Sequence, residues 1–322
     1  VARDRALIGR LTMNLATTTE HDASVLEVMH DTTYRYATDV ALAHHVAYLQ
    51  PATTAWQQLE SFRIGVVPQP SVGRTDADVF GNHRFHFSLD VPHPKLAVRA
   101  ISRVRVAPRF VDFDPIETSP WRDVAERLAY RAGGRYGSES EFAYPSPFIP
   151  RHRELGNYAA ASFAATRSIA VGAIDLMHRI HRDFRYDADS TEISTPVLEA
   201  FNARRGVCQD FAHVMIGGLR AMGLAARYVS GYLLTQPQPG RARLIGADAS
   251  HAWASVWCPG LDGSSTWLDL DPTNDLIPST SHVTLAVGRD FGDVSPLRGI
   301  IRGGGDHKLT VGVTVRPVDE QR

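Results

Sequence analysis

The run Gly206-Val207-Cys208-Gln209-Asp210-Phe211-Ala212-His213-Val214-Met215-Ile216-Gly217-Gly218-Leu219-Arg220-Ala221-Met222, closed by Gly223, decides how this chain is read. Phe211, Val214, Met215, Gly218, Leu219 and Met222 recur at helical spacing, which predicts a helix buried along one face. Gly217 and Gly218 lower helix propensity, a sensible cost where a second backbone packs closely against them. Cys208 stands at the helix start. A helix N-terminus carries partial positive charge and unpaired N–H groups, which favour an anionic sulfur. The same N–H groups can stabilise an oxyanion forming on an attacked carbonyl. Taken alone, such a cysteine is also compatible with inert burial, since free cysteines are among the most buried residues.

Two later segments bear on that choice. Ala249 to Trp257 alternates as a strand does and sets His251, Trp253, Ser255 and Trp257 on one face. Trp267-Leu268-Asp269-Leu270-Asp271 reads as a second strand. An antiparallel hairpin with His251 opposite Asp271 would place Trp257 opposite Ser265 and leave Pro259 to Gly263 as the loop, an ordinary hairpin length. A two-residue slip would set Asp269 opposite His251 instead, and face alternation does not decide between them. Nucleophile, base and orienting carboxylate in that chain order fit a Cys–His–Asp triad.

Further out, Val25 to Val106 reads as strand after strand: Val25 to Tyr36, Ala41 to Leu49, Phe62 to Val67, Val79 to Leu89 and Leu96 to Val106, with Gly81-Asn82 as a hairpin turn. That pattern predicts a small β-sandwich. From about Pro115 the character changes. Helices are expected at Trp121 to Tyr130, at Thr166 to Phe184, and after Thr195-Pro196, where the threonine can cap and the proline can occupy the first helical position. Strands are expected at Ala226 to Leu234, His282 to Val287 and Lys308 to Val315, with a Pro/Gln/Gly loop after Leu234. The expected organisation is a tail over 1–23, a β-rich domain over 24–112 and an α+β catalytic domain over 113–322.

Composition narrows the class. A net charge of −1 gives no global field toward nucleic acid or an anionic membrane, so neither is expected as a partner. No apolar stretch approaches the ~20 residues of a membrane helix. Two cysteines make no disulfide framework and suit a reducing compartment. The basic start is not followed by the apolar run of a secretory signal, and a cytoplasmic location is expected. The histidine pairs His44-His45, His83/His86 and His178/His181 lack the spacing of a zinc set, so no metal is expected. His213 falls on another azimuth of the helix and reads as a packing or surface residue. Cys258, before Pro259-Gly260 and without a helix dipole, reads as passive. Gly303-Gly304-Gly305 lacks a following Lys-Ser/Thr, so phosphate binding is unsupported.

Three segments together, Gly206 to His213, Ala249-Ser250-His251-Ala252-Trp253 and Trp267 to Asn274, resemble the core motifs of bacterial transglutaminase-like proteins. Phe184-Arg185-Tyr186, Ser194 to Val197, Gly288 to Phe291, Val294 to Gly299 and the Phe80-Gly81-Asn82 turn look like flanking elements of that family. The resemblance implies a papain-like core, a nucleophile helix packed on an antiparallel sheet, with Cys208 as nucleophile and His251 as base. It also implies that the acidic member is Asp271 and not Asp269. It further implies a cysteine protease or acyltransferase acting on a peptide or protein without a cofactor. One oxyanion donor would be the Cys208 N–H; Tyr186 and Gln209 are candidates for a second, with Trp253 and Asp269 as further residues of the site.

Overall fold

Leu26, Val28, His30 and Thr32 are buried while Glu27, Met29, Asp31 and Thr33 between them are partly exposed, the alternation of a strand with one face on a core. They belong to β1 (Ser24–Ala47), the spine of the first sheet in this computed structural model, which describes residues 22–188, 190–235 and 250–318. Most of the expected tail and the loop at 236–249 lie outside the described residues. Strands β2 (Gln57–Val67), β3 (Val72–Ala77), β4 (His83–Leu89) and β5 (His93–Val106) follow. Along its first half β1 pairs with β5; after an irregularity between Arg35 and Val40 it pairs with β4. That change of partner curls the sheet around Val40, Ala43, Leu89, Leu96 and Val98. The β-rich first region is therefore one curled antiparallel sheet.

Helices α1 (Trp121–Leu128), α2 (Arg153–Ala160) and α3 (Ile169–Asp183) come next, then β6 (Arg185–Tyr186), α4 (Val197–Ala203), β7 (Arg205–Gly206) and α5 (Cys208–Ala221). Strands β8 (Ala226–Leu233), β9 (Ser250–Pro259), β10 (Ser265–Leu270) and β11 (His282–Gly288) form a second antiparallel sheet in the order β10-β9-β8-β11. Short α6 (Phe291–Val294) leads to β12 (Leu297–Gly303) and β13 (His307–Pro317), which return to the first sheet and pair with β1. The architecture is α+β. No helix among the described residues is long and apolar enough to cross a membrane.

Phe211, Met215 and Leu219 of α5 share one buried cluster with Ala252, Ala254, Val256, Leu268 and Leu270 of the sheet. Each large apolar side chain buried there contributes about 1.5–3 kcal/mol. On its other side α5 meets α2 closely. A Cβ on Gly217 would lie 2.7 Å from Leu155 Cδ1, and one on Gly218 would lie 2.9 Å from Ala159 Cβ. The expected close approach at these glycines is real.

The two sheets meet where Leu26, Val28, Val104, Val313 and Val315 pack on Tyr232, Val283 and Leu285. His30 bridges the junction, its Nδ1 3.0 Å from the Tyr232 hydroxyl. The free edge of β11 is covered by two side-chain amides. Gln57 donates to Thr284 O and accepts from Thr284 N, both at 2.7 Å. Asn82 donates to Val287 O at 2.7 Å and accepts from Val287 N at 2.8 Å. Each amide stands in for one peptide unit of a missing neighbouring strand.

Two local expectations are corrected, and one strand is new. Val79 and Phe80 belong to the turn between β3 and β4, where Gly81 takes a φ of +83°, and the strand before it is Val72–Ala77. Pro196, not Thr195, is the N-cap of α4. β12 carries no expectation in the sequence, because Arg298, Gly299 and Arg302 interrupt its apolar alternation.

Candidate active site

The start of α5 is built by contacts that leave no freedom at Gly206. β6 and β7 pair in parallel with Tyr186 beside Gly206, which delivers the chain to Cys208. Asp210, in the first turn, reaches back to accept from Val207 N at 2.8 Å and takes the Thr191 hydroxyl at 2.7 Å. A Cβ on Gly206 would lie 2.5 Å from that carboxylate oxygen. Any side chain there would displace the group that caps the helix. Cys208 is half-buried at the helix start, its thiol 4.0 Å from Ser250 O and near enough to His251 to help raise that ring.

His251 sits on β9 beside Gly231 of β8. A Cβ on Gly231 would lie 2.4 Å from the Trp253 ring, so glycine is what lets the indole lie against β8. The His251 Nε2 is 2.7 Å from Asp271 Oδ2. Because Nε2 is held there, Nδ1 is the nitrogen left for Cys208. The hairpin register differs from the expected one: Trp257 pairs with Trp267, Ser255 with Asp269 and Ala254 with Leu270, with Gly260 to Ser264 as the loop. Asp271 therefore lies one step past the last pair, nearer Trp253, and reaches His251 along the diagonal. The slip of two residues conserves the face, which is why the contact survives.

The Asp271 carboxylate is fully buried and richly hydrogen-bonded. Oδ1 accepts from Thr273 N at 3.0 Å and Asn274 N at 3.2 Å, while Oδ2 accepts from Asn274 Nδ2 at 2.8 Å. His282 Nε2 is 3.3 Å from the same Oδ2, and its Nδ1 is 3.0 Å from the Ser281 hydroxyl. Burial alone would raise this carboxyl. The His251 charge and the bonds from His251 and His282 overcome it and hold it far below the carboxylate range. Burial likewise works against a charged His251, but Asp271 overrides it and lifts the ring to about 10.

The other candidates separate clearly. Tyr186 is exposed beside the nucleophile, its hydroxyl pushed up by burial and the Cys208 charge. Gln209 is buried with its amide donated to Ile193 O at 3.2 Å. Trp253 is fully buried and offers no surface to a substrate; its Nε1 donates to Asp269 at 3.1 Å. Asp269 is a buried ion pair with Arg109 at 2.5 Å, and Arg109 stacks 3.8 Å over the Trp56 ring. His213 packs against Tyr228 and accepts from Phe291 N. Cys258 is buried at the far end of β9, its thiol pushed well up by burial. Both cysteines are free.

Asn274 and His282 belong to this set and were not singled out from the sequence. Asn274 follows Asp271 in the quoted motif, but nothing in its spacing showed that its amide turns back. His282 lies on β11, which reaches the site only through β8. His178 and His181 anchor the same turn on α3, His178 to Asp275 and His181 Nδ1 to Thr273 O at 3.0 Å. Ligand atoms of His251, Asp271 and His282 lie within 4.8 Å of one another, the set among the described residues that could hold a metal. Two ligands of a tetrahedral zinc sit about 3.3 Å apart when each is about 2.0–2.1 Å from the metal. The 2.7 Å between His251 and Asp271 is instead a charge-assisted hydrogen bond.

Comparison with known proteins shows the family. Residues 158–272 match the family described as the transglutaminase-like superfamily, and residues 26–105 match the bacterial transglutaminase-like N-terminal region. This is a transglutaminase-like protein. A solved structure from Cytophaga hutchinsonii, named a "Putative Cysteine Protease", shares the fold of this transglutaminase-like chain with a TM-score of 0.70 at 20% identity, covering 94% of this chain and 93% of that one. An uncharacterized protein of Mycobacterium tuberculosis is 40% identical over 301 residues, 91% of this chain and 92% of its own. One of Mycobacterium leprae is 30% identical over 294 residues, 90% and 98%. A protein-glutamine gamma-glutamyltransferase of Pseudomonas aeruginosa is 28% identical over 132 residues, 40% of this chain and 19% of that protein.

Proposed function

We propose that this transglutaminase-like protein is a thiol hydrolase of peptide or isopeptide bonds, with Cys208 as nucleophile, His251 as general base and acid, and Asp271 as the orienting carboxylate. The observation that supports this reading is the His251 ring held at 2.7 Å by buried Asp271, on the strand whose Ser250 carbonyl faces the Cys208 thiol at the start of α5. The proton of Cys208 rests on His251 Nδ1, whose ring Asp271 keeps charged, and the thiolate attacks the carbonyl carbon. The tetrahedral oxyanion is met by the Cys208 N–H at the helix start and by the Tyr186 hydroxyl; Gln209 is already engaged with Ile193. Collapse breaks the C–N bond, the amine leaves with the proton from His251, and a thioester remains on Cys208. Water, deprotonated by His251, then attacks the thioester and returns the thiol. Asp271 holds the Nε2–H tautomer and balances the imidazolium. The substrate is a peptide or protein, and the two free thiols suit a reducing, cytoplasmic setting.

The likeness to the P. aeruginosa glutamyltransferase supports a second reading, in which an amine replaces water at the thioester. Incubation with a glutamine-containing donor peptide and a fluorescent amine separates the two. Release of free acid faster than amine incorporation, lost in Cys208→Ala, is the expected result. Amine incorporation outpacing release would sink the hydrolase reading, and no turnover of an unbiased peptide library would sink both.

A further inference from the structure

Between the first sheet and the second lies a cavity of about 910 Å³, within the range typical of small-molecule sites. None of Cys208, His251, Asp271 or His282 lines it. Four rings form its apolar walls: Tyr48, Phe80, Phe142 and Trp267. Four guanidinium groups also face it, and three of them are already engaged. Arg289 grips Asp293 through Nε at 2.9 Å and Nη2 at 3.0 Å, Arg84 holds Asp76 at 2.8 Å, and Arg298 donates to Gly292 O.

Arg227 is different. Its guanidinium makes no hydrogen bond with any described residue, and its Nε is buried without a partner. Its guanidinium carbon lies 4.2 Å over the Trp267 ring, which fixes the plane of the fork. Asp269 attracts it without a hydrogen bond between them: its Oδ2 is occupied by Arg109 and Trp253, and its Oδ1 is buried without a partner. Burial pulls the guanidinium down to about 10, the mark of a desolvated cation. The acids in the cavity wall do not answer it. Asp78 is bonded to Phe80 N, Asn82 N and Asn82 Nδ2, Asp293 is held by Arg289, and Glu141 faces Arg289 at 3.5 Å.

We propose that this cavity binds a small flat organic monoanion, an aryl carboxylate, whose carboxylate pairs with Arg227 and whose ring lies against Trp267, Phe142 and Phe80. A planar fork without an acceptor is the geometry that takes a carboxylate bidentately. Asp78, Glu141 and Asp293 in the same wall repel a dianion such as phosphate more than a monoanion. The aromatic walls favour a flat body over a compact inorganic ion. The site stands independently of the Cys208 chemistry.

Calorimetric titration with 2-naphthoate, 2-naphthylmethanol and inorganic phosphate tests this. Saturable 1:1 binding of 2-naphthoate is expected, unchanged in Cys208→Ala, weakened at least about tenfold in Arg227→Gln, and with the alcohol and phosphate much weaker. The indole N–H resonance of Trp267, assigned through Trp267→Phe, is expected to shift on addition of 2-naphthoate, a readout that survives if Arg227→Gln does not fold. Absence of saturation up to roughly 10 mM, equal binding of phosphate, unchanged affinity in folded Arg227→Gln, or an unmoved Trp267 indole would each overturn the proposal.

Discussion

The Oδ2 of Asp271 that takes His251 at 2.7 Å also takes the ring of His282 at 3.3 Å. His282 thus fixes the carboxylate that fixes the base. A hydrogen bond to a charged group contributes about 1.5–3 kcal/mol, equivalent to about a 10- to 100-fold change in rate. His282→Gln is expected to lower kcat by about that factor with little change in KM. Steady-state kinetics on the peptide that the wild type turns over best will show it, and a kcat equal to wild type would remove His282 from the site.

Asp269 and Asp271 are two residues apart and are expected to fail differently. Asp269→Asn leaves Arg109 buried without its charge partner, a loss on the order of 3–5 kcal/mol. Its kcat at a permissive temperature is expected to hold. Asp271→Asn is expected to lower kcat by about 10³–10⁴, as loss of the tautomer-setting carboxylate does in a related triad. Denaturant melts paired with kinetics on both variants give the answer, and a kcat collapse in Asp269→Asn would reverse the assignment of the two carboxylates.

Stability is expected to fall on both sides of neutrality for nameable reasons. Burial lowers His30 and His45 to about 4 and His213 to about 3. Each binds fewer protons folded than unfolded, so stability drops as pH falls below about 6.5, by at most ~1.4 kcal/mol per pH unit per group. His251 has the opposite sign. Its raised value gives stability that is complete below about 6.5 and is lost as pH rises through about 10. Asp271, held low, gives stability present above the ordinary carboxylate value and lost in acid. Calorimetric Tm from pH 4.5 to 10 is expected to show a dome. His30→Phe should soften its acid limb and His251→Gln its alkaline limb; limbs that do not respond would refute these assignments.

The clash between Gly206 and Asp210 predicts a non-additive pair. Gly206→Ala places a Cβ on the capping carboxylate, and a loss of about 1–3 kcal/mol is expected from overpacking. Removing the carboxylate in Asp210→Ala removes the clash, so Gly206→Ala should cost at least about 1 kcal/mol less in that background. A double-mutant cycle by urea denaturation measures the difference. Additive losses would show that Gly206 is required for some other reason.

The two thiols are expected to report their places. Cys208 is half-buried at a helix start, and Cys258 is fully buried within the sheet. Iodoacetamide at pH 6.5 is expected to modify Cys208 alone in the native protein, with both thiols reacting in urea. Peptide mapping by mass spectrometry checks this, and native labelling of Cys258 would contradict its burial.

Much of this arrangement was legible in the residues. The helix at Cys208 announced itself by its apolar spacing, and Gly217-Gly218 announced the close approach of α2. The strands bearing His251 and Asp271 were readable by alternation, but their register was not, because a shift of two residues leaves every side chain on the same face. Only the Trp257–Trp267 pairing fixes it. Asp269 was unreadable for a related reason: its partner Arg109 lies 160 residues away, in a connecting segment with no periodic signal. The Gly81-Asn82 turn was visible, yet the purpose of Asn82 was not, since its amide answers a strand edge more than 200 residues further on. Long-range polar contacts leave no local period in a sequence.

β1 is flanked by β5 and, on the other side, by β13, with Leu26 set against Pro317. A ribosome adding roughly 5–20 residues each second exposes one edge of β1 for many seconds before its last partner exists. During that interval Leu26 and Val28 lack Val313 and Val315, and the nascent chain carries an open, apolar strand edge of the kind that recruits foreign strands. Removing the residues of β12 and β13 would make that interval permanent, and the expected product is insoluble aggregate in place of a shorter folded protein.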